Sequence, residues 1–445
     1  MSKDDDDKPL RGLARGFRDR TLVTAKLATK IGLKFAKRTF ISRGRDGAES
    51  ESESEDDASV EVATELVEKL GSLKGLVMKL GQIASYMPGS MPPKAQRVLA
   101  KLQANTTPME WEQVAVLLQA ELGSPPDEHF DEIARTPFAA ASIGQVHRAR
   151  VDDAAVAVKI QYPGIDEVLE QDLKAAKVLA KVGMLGTDLD AGALTAELEA
   201  RILEECDYRL EARNQTIFGR LLSDVDGARV PKVLGAHSSG RVLTTEFVEG
   251  AGFYDFCDKA SQADRDRAGS IVFRVCMDSI FRHCCFNGDP HPGNYLFHDG
   301  GDVTFLDYGC VRRFEPSMIA AWKTVAEATL AGDKAKWREA YPALGFVKRL
   351  DKFDWDHQWK MMEYLYEPFR SEVPYQFTHE YVKRSYSMMI FDNPNRTKTA
   401  MPPEWLLLNR LQWGVNSILA HLGAKVRWGD ILRESASAPT VPAPR

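Results

Sequence analysis

The chain has 445 residues, 44% of them hydrophobic, enough for two or three domains or lobes with cores of their own. Against 58 Lys and Arg stand 64 Asp and Glu, a net charge of −6 that argues against a nucleic-acid partner. No run approaches the roughly 18 apolar residues of a membrane-crossing helix, and the six cysteines show neither zinc-site spacing nor a disulfide framework. With no secretory signal either, the expected setting is a reducing, cytoplasmic one, with any membrane association peripheral.

Residues 4–8 read DDDDK, as an expression scar would, and are left out of the fold argument. Residues 11–45 carry eleven Lys or Arg and one acid, Asp19, with Leu13, Phe17, Leu22, Leu27, Ile31 and Phe35 at roughly helical spacing. A solvated basic helix is the bland reading; the functional one is an amphipathic helix on an anionic membrane surface. Residues 46–61 are a Ser/Glu/Asp tract too polar to fold, so 1–61 is expected to be a basic segment and a disordered linker. Val62, Leu66, Leu70, Leu73, Val77, Leu80, Ala84 and Met87 then form a helical stripe ending at Pro88. Further helices are expected near 93–104 and 110–122, making 62–128 a helical extension.

Strand signals follow at 145–150, 154–160 and 241–247, with helical stretches at about 166–183 and 192–218 between the last two. Residues 129–249 read as a small sheet-bearing lobe. From 250 to 434 the chain is mainly helical, apart from short apolar runs at 295–297 and 303–306, and 435–445 reads as a loose tail.

The chemistry is carried by residues 287–309. Asn287-Gly-Asp-Pro-His-Pro-Gly-Asn294 sets Asp289 and Asn294 five residues apart in a Pro/Gly-rich loop, and Asp307-Tyr-Gly309 follows the next apolar run. Phosphoryl transfer needs a carboxylate to orient or deprotonate the acceptor and oxygen ligands for Mg²⁺. An Asp-x4-Asn loop, a hairpin and a second Asp supply that set. Upstream, Val156-Ala-Val-Lys159-Ile is an apolar strand broken by one lysine, which needs an anionic partner such as a phosphate and a helix carboxylate. Where kinases carry a Gly-rich loop, this chain has Phe138-Ala-Ala-Ala-Ser-Ile-Gly144. Each piece is weak alone, but the ordered set is strong.

Over roughly residues 60–430 the chain resembles the UbiB (aarF-domain) family of atypical kinases. The marks are Lys79-Leu-Gly-Gln82, the Ala-rich loop 139–142, Val-Lys-Ile-Gln-Tyr-Pro163, Glu205-Cys-Asp207, the 287–294 loop and Asp307-Tyr-Gly309. The resemblance implies an α+β, two-lobed protein-kinase-like fold with the helical extension packed over the active site. It implies ATP and Mg²⁺ as cofactors and a role in ubiquinone or other isoprenoid-lipid metabolism at a membrane. The partners implied are an isoprenoid or aromatic lipid precursor and lipid-biosynthesis enzymes. Lys159 would contact the phosphates and pair with Glu211; Asp289 would be the catalytic carboxylate; Asn294 and Asp307 would hold metal. Ala139, Ala140, Ala141 and Ser142 would lie along the phosphates, and Glu246 to Val248 would offer backbone groups to the adenine. Lys79, Gln82 and Glu205 would gate the site. Glu205 and Glu211, six apart, point roughly 120° apart on an ideal helix and would serve Lys79 and Lys159 respectively.

Two departures narrow the activity. Alanine in the loop restricts positive φ, so the backbone cannot hug phosphates as glycine allows. Asn287, Gly288 and His291 stand where protein kinases carry other residues. An ATPase or small-molecule kinase is therefore the expected activity. The alternatives are a nucleotide-binding pseudokinase scaffold and, third, an aminoglycoside- or choline-type phosphotransferase.

Overall fold

The computed structural model describes residues 108–170 and 204–444, apart from residues 142, 168, 391, 396–397 and 400–402. The basic segment, the acidic tract, the helix bearing Lys79 and Gln82, and the stretch near 93–104 lie outside the described residues, as does Ser142. Residues 107–163 and 201–445 belong to one compact unit.

Its smaller lobe begins with helix α1 (Trp111–Leu122), which ends at Gly123, where φ of +92° suits glycine. A sheet follows, built from β1 (Glu132–Ile133), β2 (Ala139–Ala141), β3 (Gly144–Val151), β4 (Ala154–Gln161) and β6 (Val242–Glu246). The order is β1-β3-β4-β6, with β2 also paired to β3 and every pairing antiparallel. Strands β3 and β4 meet through Asp152 and Asp153, both at positive φ, the conformation a two-residue hairpin demands. From Ala155 to Ile160 of β4 burial alternates: Val156, Val158 and Ile160 are buried, while Lys159 lies on the other face.

The buried face packs on Val114, Leu117 and Leu118 of α1. So α1, expected within a separate helical extension, is part of the small lobe's core, and the boundary at 128 is not one. His147, fully buried on β3, links the two: its Nδ1–H donates to the Ala134 carbonyl at 2.7 Å and Nε2 accepts from Gln145 at 2.8 Å. Gln145 Oε1 in turn accepts the Met109 N–H at 2.7 Å. Burial lowers the His147 pKa, which keeps it in the neutral form this relay requires.

Helix α2 (Tyr208–Leu221) and β5 (Ala228–Arg229) lie between β4 and β6 in sequence. Yet β5 pairs in parallel with a strand of the larger lobe, and Phe218 and Leu222 enter that lobe's core. The larger lobe comprises α3 (Phe253–Lys259), α4 (Gln262–Phe281), β7 (Cys285–Asn287), β8 (Tyr295–Phe297), β9 (Val303–Phe305), β10 (Val311–Arg313) and α5 (Pro316–Leu330). It continues with α6 (Lys334–Ala340), α7 (Trp355–Leu365), β11 (Tyr375–Gln376), α8 (His379–Ile390), α9 (Pro403–Leu422), β12 (Lys425–Val426) and α10 (Trp428–Ser437). Helix α4 is its axis, burying Ile271, Val272, Phe273, Val275, Ile280 and Phe281.

The tail differs from expectation. It is helical to Ser437 and then held down: Val441 and Ala443 N–H donate to the Arg282 and His283 carbonyls at 2.6 and 2.9 Å. Lys323 Nζ donates to the Ala438 carbonyl and Thr440 Oγ1 at 2.7 and 2.9 Å. Alanine- and proline-rich composition signals a chain without a core of its own, not one without a surface to lie on.

Candidate active site

Strand β4 delivers Lys159 between Val146 of β3 and Leu243 of β6. Its Nζ lies 2.7 and 2.9 Å from the two carboxylate oxygens of Glu211, 3.6 Å from Asp307 Oδ2, and 4.9 Å from the centre of the Tyr208 ring. Glu211 sits in the first turn of α2, which Asp207 caps by accepting the Arg209 N–H at 3.0 Å. Burial pushes the Glu211 carboxyl up to about 7; Lys159 draws it down, while Asp307 and Glu205 push it further up. Burial alone would lower Lys159, but the carboxylates of Glu211 and Asp307 outweigh it and hold the amine well above its ordinary value. Lys159 is therefore a fixed cation among carboxylates.

The ideal-helix placement of Glu205 and Glu211 does not hold. Helical structure stops after Glu205, and Asp207 is extended (φ −107°, ψ 94°) before α2 begins. The break brings both side chains to one glycine: a Cβ added to Gly309 would come within 3.8 Å of Glu205 Cγ and of Glu211 Oε2. The pairing expected between Glu205 and Lys79 falls on Lys79, outside the described residues.

Strands β8 and β9 form the expected hairpin, with Tyr295 opposite Phe305, and the Leu306 N–H donates to the Asn294 carbonyl at 2.9 Å. Asn294 and Asp307 thus stand at the same end of one ladder. Asn294 Nδ2 donates to the Asp289 carbonyl at 2.9 Å and faces its Oδ2 at 3.4 Å, which leaves the amide oxygen as a ligand. Asp307 Oδ1 accepts the Gly309 N–H at 2.9 Å. These oxygens, two of them carboxylate, are the hard donors Mg²⁺ prefers.

Sequence reasoning gave no role to Asn287. Its Nδ2 donates to the Asp307 carbonyl and its Oδ1 accepts the Asp289 N–H at 3.3 Å, so one side chain ties the two acidic segments together. The signal was available: a polar residue closing a strand just before Gly288. Asn214 and Gly144 were also missed. Asn214 Nδ2 donates to the Tyr308 carbonyl at 3.2 Å, holding α2 to the Asp-Tyr-Gly turn. Gly144 is required for packing, since a Cβ there would run into the Ile160 carbonyl.

Ala139 and Ala140 are exposed and Ala141 half-buried, on a strand paired to β3. Glu246 ends β6; its N–H donates to the Lys232 carbonyl at 2.8 Å, and the Phe247 N–H to that of Ala155 at 3.0 Å. Past Val248 the chain enters the larger lobe, where Ala251 and Phe297 exchange backbone bonds of 2.8 and 2.9 Å. Beyond Asp307, residues 308–315 are the whole passage to α5: β10 pairs antiparallel with β7, and Gly288 and Phe314 N–H bond the Cys310 and Cys284 carbonyls at 2.7 Å. Arg312, 8% exposed, clasps Glu204 at 2.8 Å.

A sheet-bearing lobe joined through Glu246–Val248 to a helical one, with the sheet lysine and the hairpin aspartate meeting between them, defines a protein-kinase-like protein. Comparison with known proteins narrows this. The model of the ABC1 atypical kinase-like domain matches residues 101–341. The chain is 30% identical over 392 residues to the atypical kinase COQ8B, mitochondrial, of Rattus norvegicus, covering 86% of this chain and 74% of that one. To the atypical kinase coq-8, mitochondrial, of Caenorhabditis elegans it is 30% identical over 383 residues, 84% of this chain and half (50%) of the relative. Among solved structures, Rv3197 of Mycobacterium tuberculosis, in complex with erythromycin, superposes with a TM-score of 0.65 at 29% identity. That match covers 88% of this chain and all (100%) of the other. The chain belongs to the ABC1 atypical kinase-like family, the UbiB/aarF group that its motifs resemble.

Proposed function

We propose that this protein is a Mg²⁺- and ATP-dependent ATPase or small-molecule kinase serving ubiquinone or related isoprenoid-lipid metabolism at a membrane. The observation carrying the reading is the convergence of Lys159, Glu211 and Asp307 within 3.6 Å of one amine. Glu211 and Tyr208 hold Lys159 in place, so its charge can neutralise the α/β-phosphates without reorganisation. Asn294 and Asp307 would hold Mg²⁺, which supplies charge neutralisation across the phosphates. Asp289 orients the acceptor, its own position set by Asn287 and Asn294. Glu246 to Val248 offer backbone groups to the adenine, and Ala139, Ala140, Ala141 and Ser142 cover the phosphates.

The short passage 308–315, returned to β7, supports a small acceptor or water over a peptide, since it has no length to spare for a docking platform. Lys79 and Gln82 would close over the site toward Glu205, while residues 11–40 dock on anionic lipid and leave room for lipid-biosynthesis enzymes as partners. None of the described helices is long and apolar enough to cross a membrane. Phosphate release from purified protein, with and without anionic lipid vesicles, tests the reading; no Mg²⁺-dependent turnover above an Asp289→Asn control refutes it. A double-mutant cycle of Lys79→Ala and Glu205→Gln tests the gate, and additive effects on nucleotide affinity would mean that the two residues do not meet.

A further inference from the structure

We propose that Gly414, in the interior of α9, is a positioning residue for the Asp289 loop: it lets the helix press on Pro290 and so sets where the neighbouring carboxylate stands. Glycine inside a helix is a cost, about a fourfold penalty in the folding equilibrium against alanine. Helix α9 runs unbroken from Pro403 to Leu422, so Gly414 neither starts nor ends it. The reason for the glycine is the approach. A Cβ built there would run into Pro290 Cγ, with the ring's Cβ at 3.2 Å and the Pro290 carbonyl oxygen at 3.5 Å. The atom struck belongs to a closed ring, not to the far end of a flexible side chain, so it cannot swing aside.

Which side of the contact yields follows from what holds each. Around Gly414 the helix is embedded: Leu411, Val415, Ile418 and Leu419 are buried in the larger lobe's core. The buried Trp413 ring also meets Tyr386 of α8 edge-on, 4.8 Å between centroids. Close-packed side chains on a helix move only as a body. The loop hangs on single hydrogen bonds. Asn287 Oδ1 accepts the Asp289 N–H at 3.3 Å, and the Asp289 carbonyl accepts from the His291 N–H at 2.8 Å and Asn294 Nδ2 at 2.9 Å. A methyl group at position 414 would therefore displace the loop, not the helix.

The consequence falls on the chemistry. Pro290 directly follows Asp289 and keeps it out of helical backbone, and the seat on Gly414 fixes the proline in turn. Helix α9 thus sets the carboxylate through the ring, while Asn287 and Asn294 set it through hydrogen bonds. That role rests on the reading of Asp289 as the carboxylate that orients the acceptor; the close approach of α9 to Pro290 does not.

The test is a cycle of Gly414→Ala and Pro290→Ala in the full chain. Pro290→Ala removes Cγ and leaves Cβ at 3.2 Å, an approach that a small shift relieves. With Pro290 in place, Gly414→Ala should lower kcat for phosphate release at least about tenfold while KM for ATP stays within about threefold, because a displaced carboxylate costs turnover and not nucleotide binding. In the Pro290→Ala background the same change should leave kcat within about threefold and improve the folding equilibrium about fourfold, as helix propensity alone dictates. An equal loss of kcat in both backgrounds, or no loss with Pro290 in place, overturns the positioning role. A Gly414→Ala chain that folds only together with Pro290→Ala supports the seat; one that folds in neither background overturns it. A parent without Mg²⁺-dependent turnover refutes the functional reading instead, and the unfolding cycle then decides: coupled effects uphold the seat and additive ones overturn it.

Discussion

Replacing Lys159 with Met keeps most of the side-chain volume and removes the charge that Glu211 and Asp307 share. Breaking a buried ion pair from one side costs about 3–5 kcal/mol, and the lower end applies, because Lys159 and Asp307 side chains are 18% and 32% exposed. The informative result is the pH dependence. A carboxyl whose folded pKa is raised stabilises fully below its unfolded value of 4.5, and that contribution is lost as pH rises through the folded value, about 7 for Glu211. In the parent this decline is finished soon above that point. Lys159 is raised too, but its contribution is fully present below 10.5 and adds no slope near neutrality. Without Lys159 the only strong pull lowering Glu211 is gone, so its pKa climbs and the decline continues. One proton is worth about 1.4 kcal/mol per pH unit, so Lys159→Met should lose up to about 2 kcal/mol more than the parent from about pH 7 to about pH 8.5. Urea unfolding followed by circular dichroism measures it. Parallel curves over that interval would show that Glu211 does not depend on Lys159, and the account of the site would be wrong. Glu211→Gln, which leaves Lys159 its Asp307 partner, should show no such divergence.

Four further outcomes are expected. Asp307→Asn should abolish Mg²⁺-dependent nucleotide binding, as calorimetry will tell, by removing a hard oxygen ligand while leaving the fold intact. Ala139→Gly or Ala140→Gly should change ATP affinity or self-phosphorylation at a stability cost of about 0.4–1 kcal/mol, and folded variants matching the parent in both assays would make the loop purely structural. Deleting residues 1–60 should reduce sedimentation with anionic liposomes, each basic residue being worth about 1 kcal/mol at the surface, and nucleotide binding should survive. Truncation after Ser437 should lower stability by about 2 kcal/mol in urea unfolding, since the bonds to Arg282, His283 and Lys323 go with it.

What was legible in the sequence followed from local periodicity. The alternation in 154–160 gave β4 and set Lys159 opposite the buried valines; the apolar runs at 295–297 and 303–306 gave the β8–β9 hairpin. Asp289, Asn294 and Asp307 stand out in the sequence because phosphoryl transfer asks for those groups in that order. Relations between distant segments were not legible. Val114, Leu117 and Leu118 read as one more amphipathic helix, and nothing local says which surface covers them. The assignment of β5 to the smaller lobe failed for the same reason: two residues, Ala228 and Arg229, carry no period, and their partner is β9.

The Glu205–Glu211 interval shows most clearly where a spacing argument stops. Counting residues along a helix is valid only while the helix continues, and Asp207 ends it, because its side chain competes for a backbone N–H two residues on. That cap was readable as a possibility, Asp being a favoured N-cap residue, yet the acidic pattern on both sides fits one continuous helix equally well. The break matters for the chemistry. With both side chains beside Gly309 and Arg312 clasping the neighbouring Glu204, the turn before α2 is anchored to the short passage that directly follows Asp307. A shift of that turn would therefore move Glu205 and Glu211 together, changing the field at Lys159 and the setting of Asp307 in one step. Under the proposed function, this coupling would give Glu205 a physical route to the nucleotide without touching it.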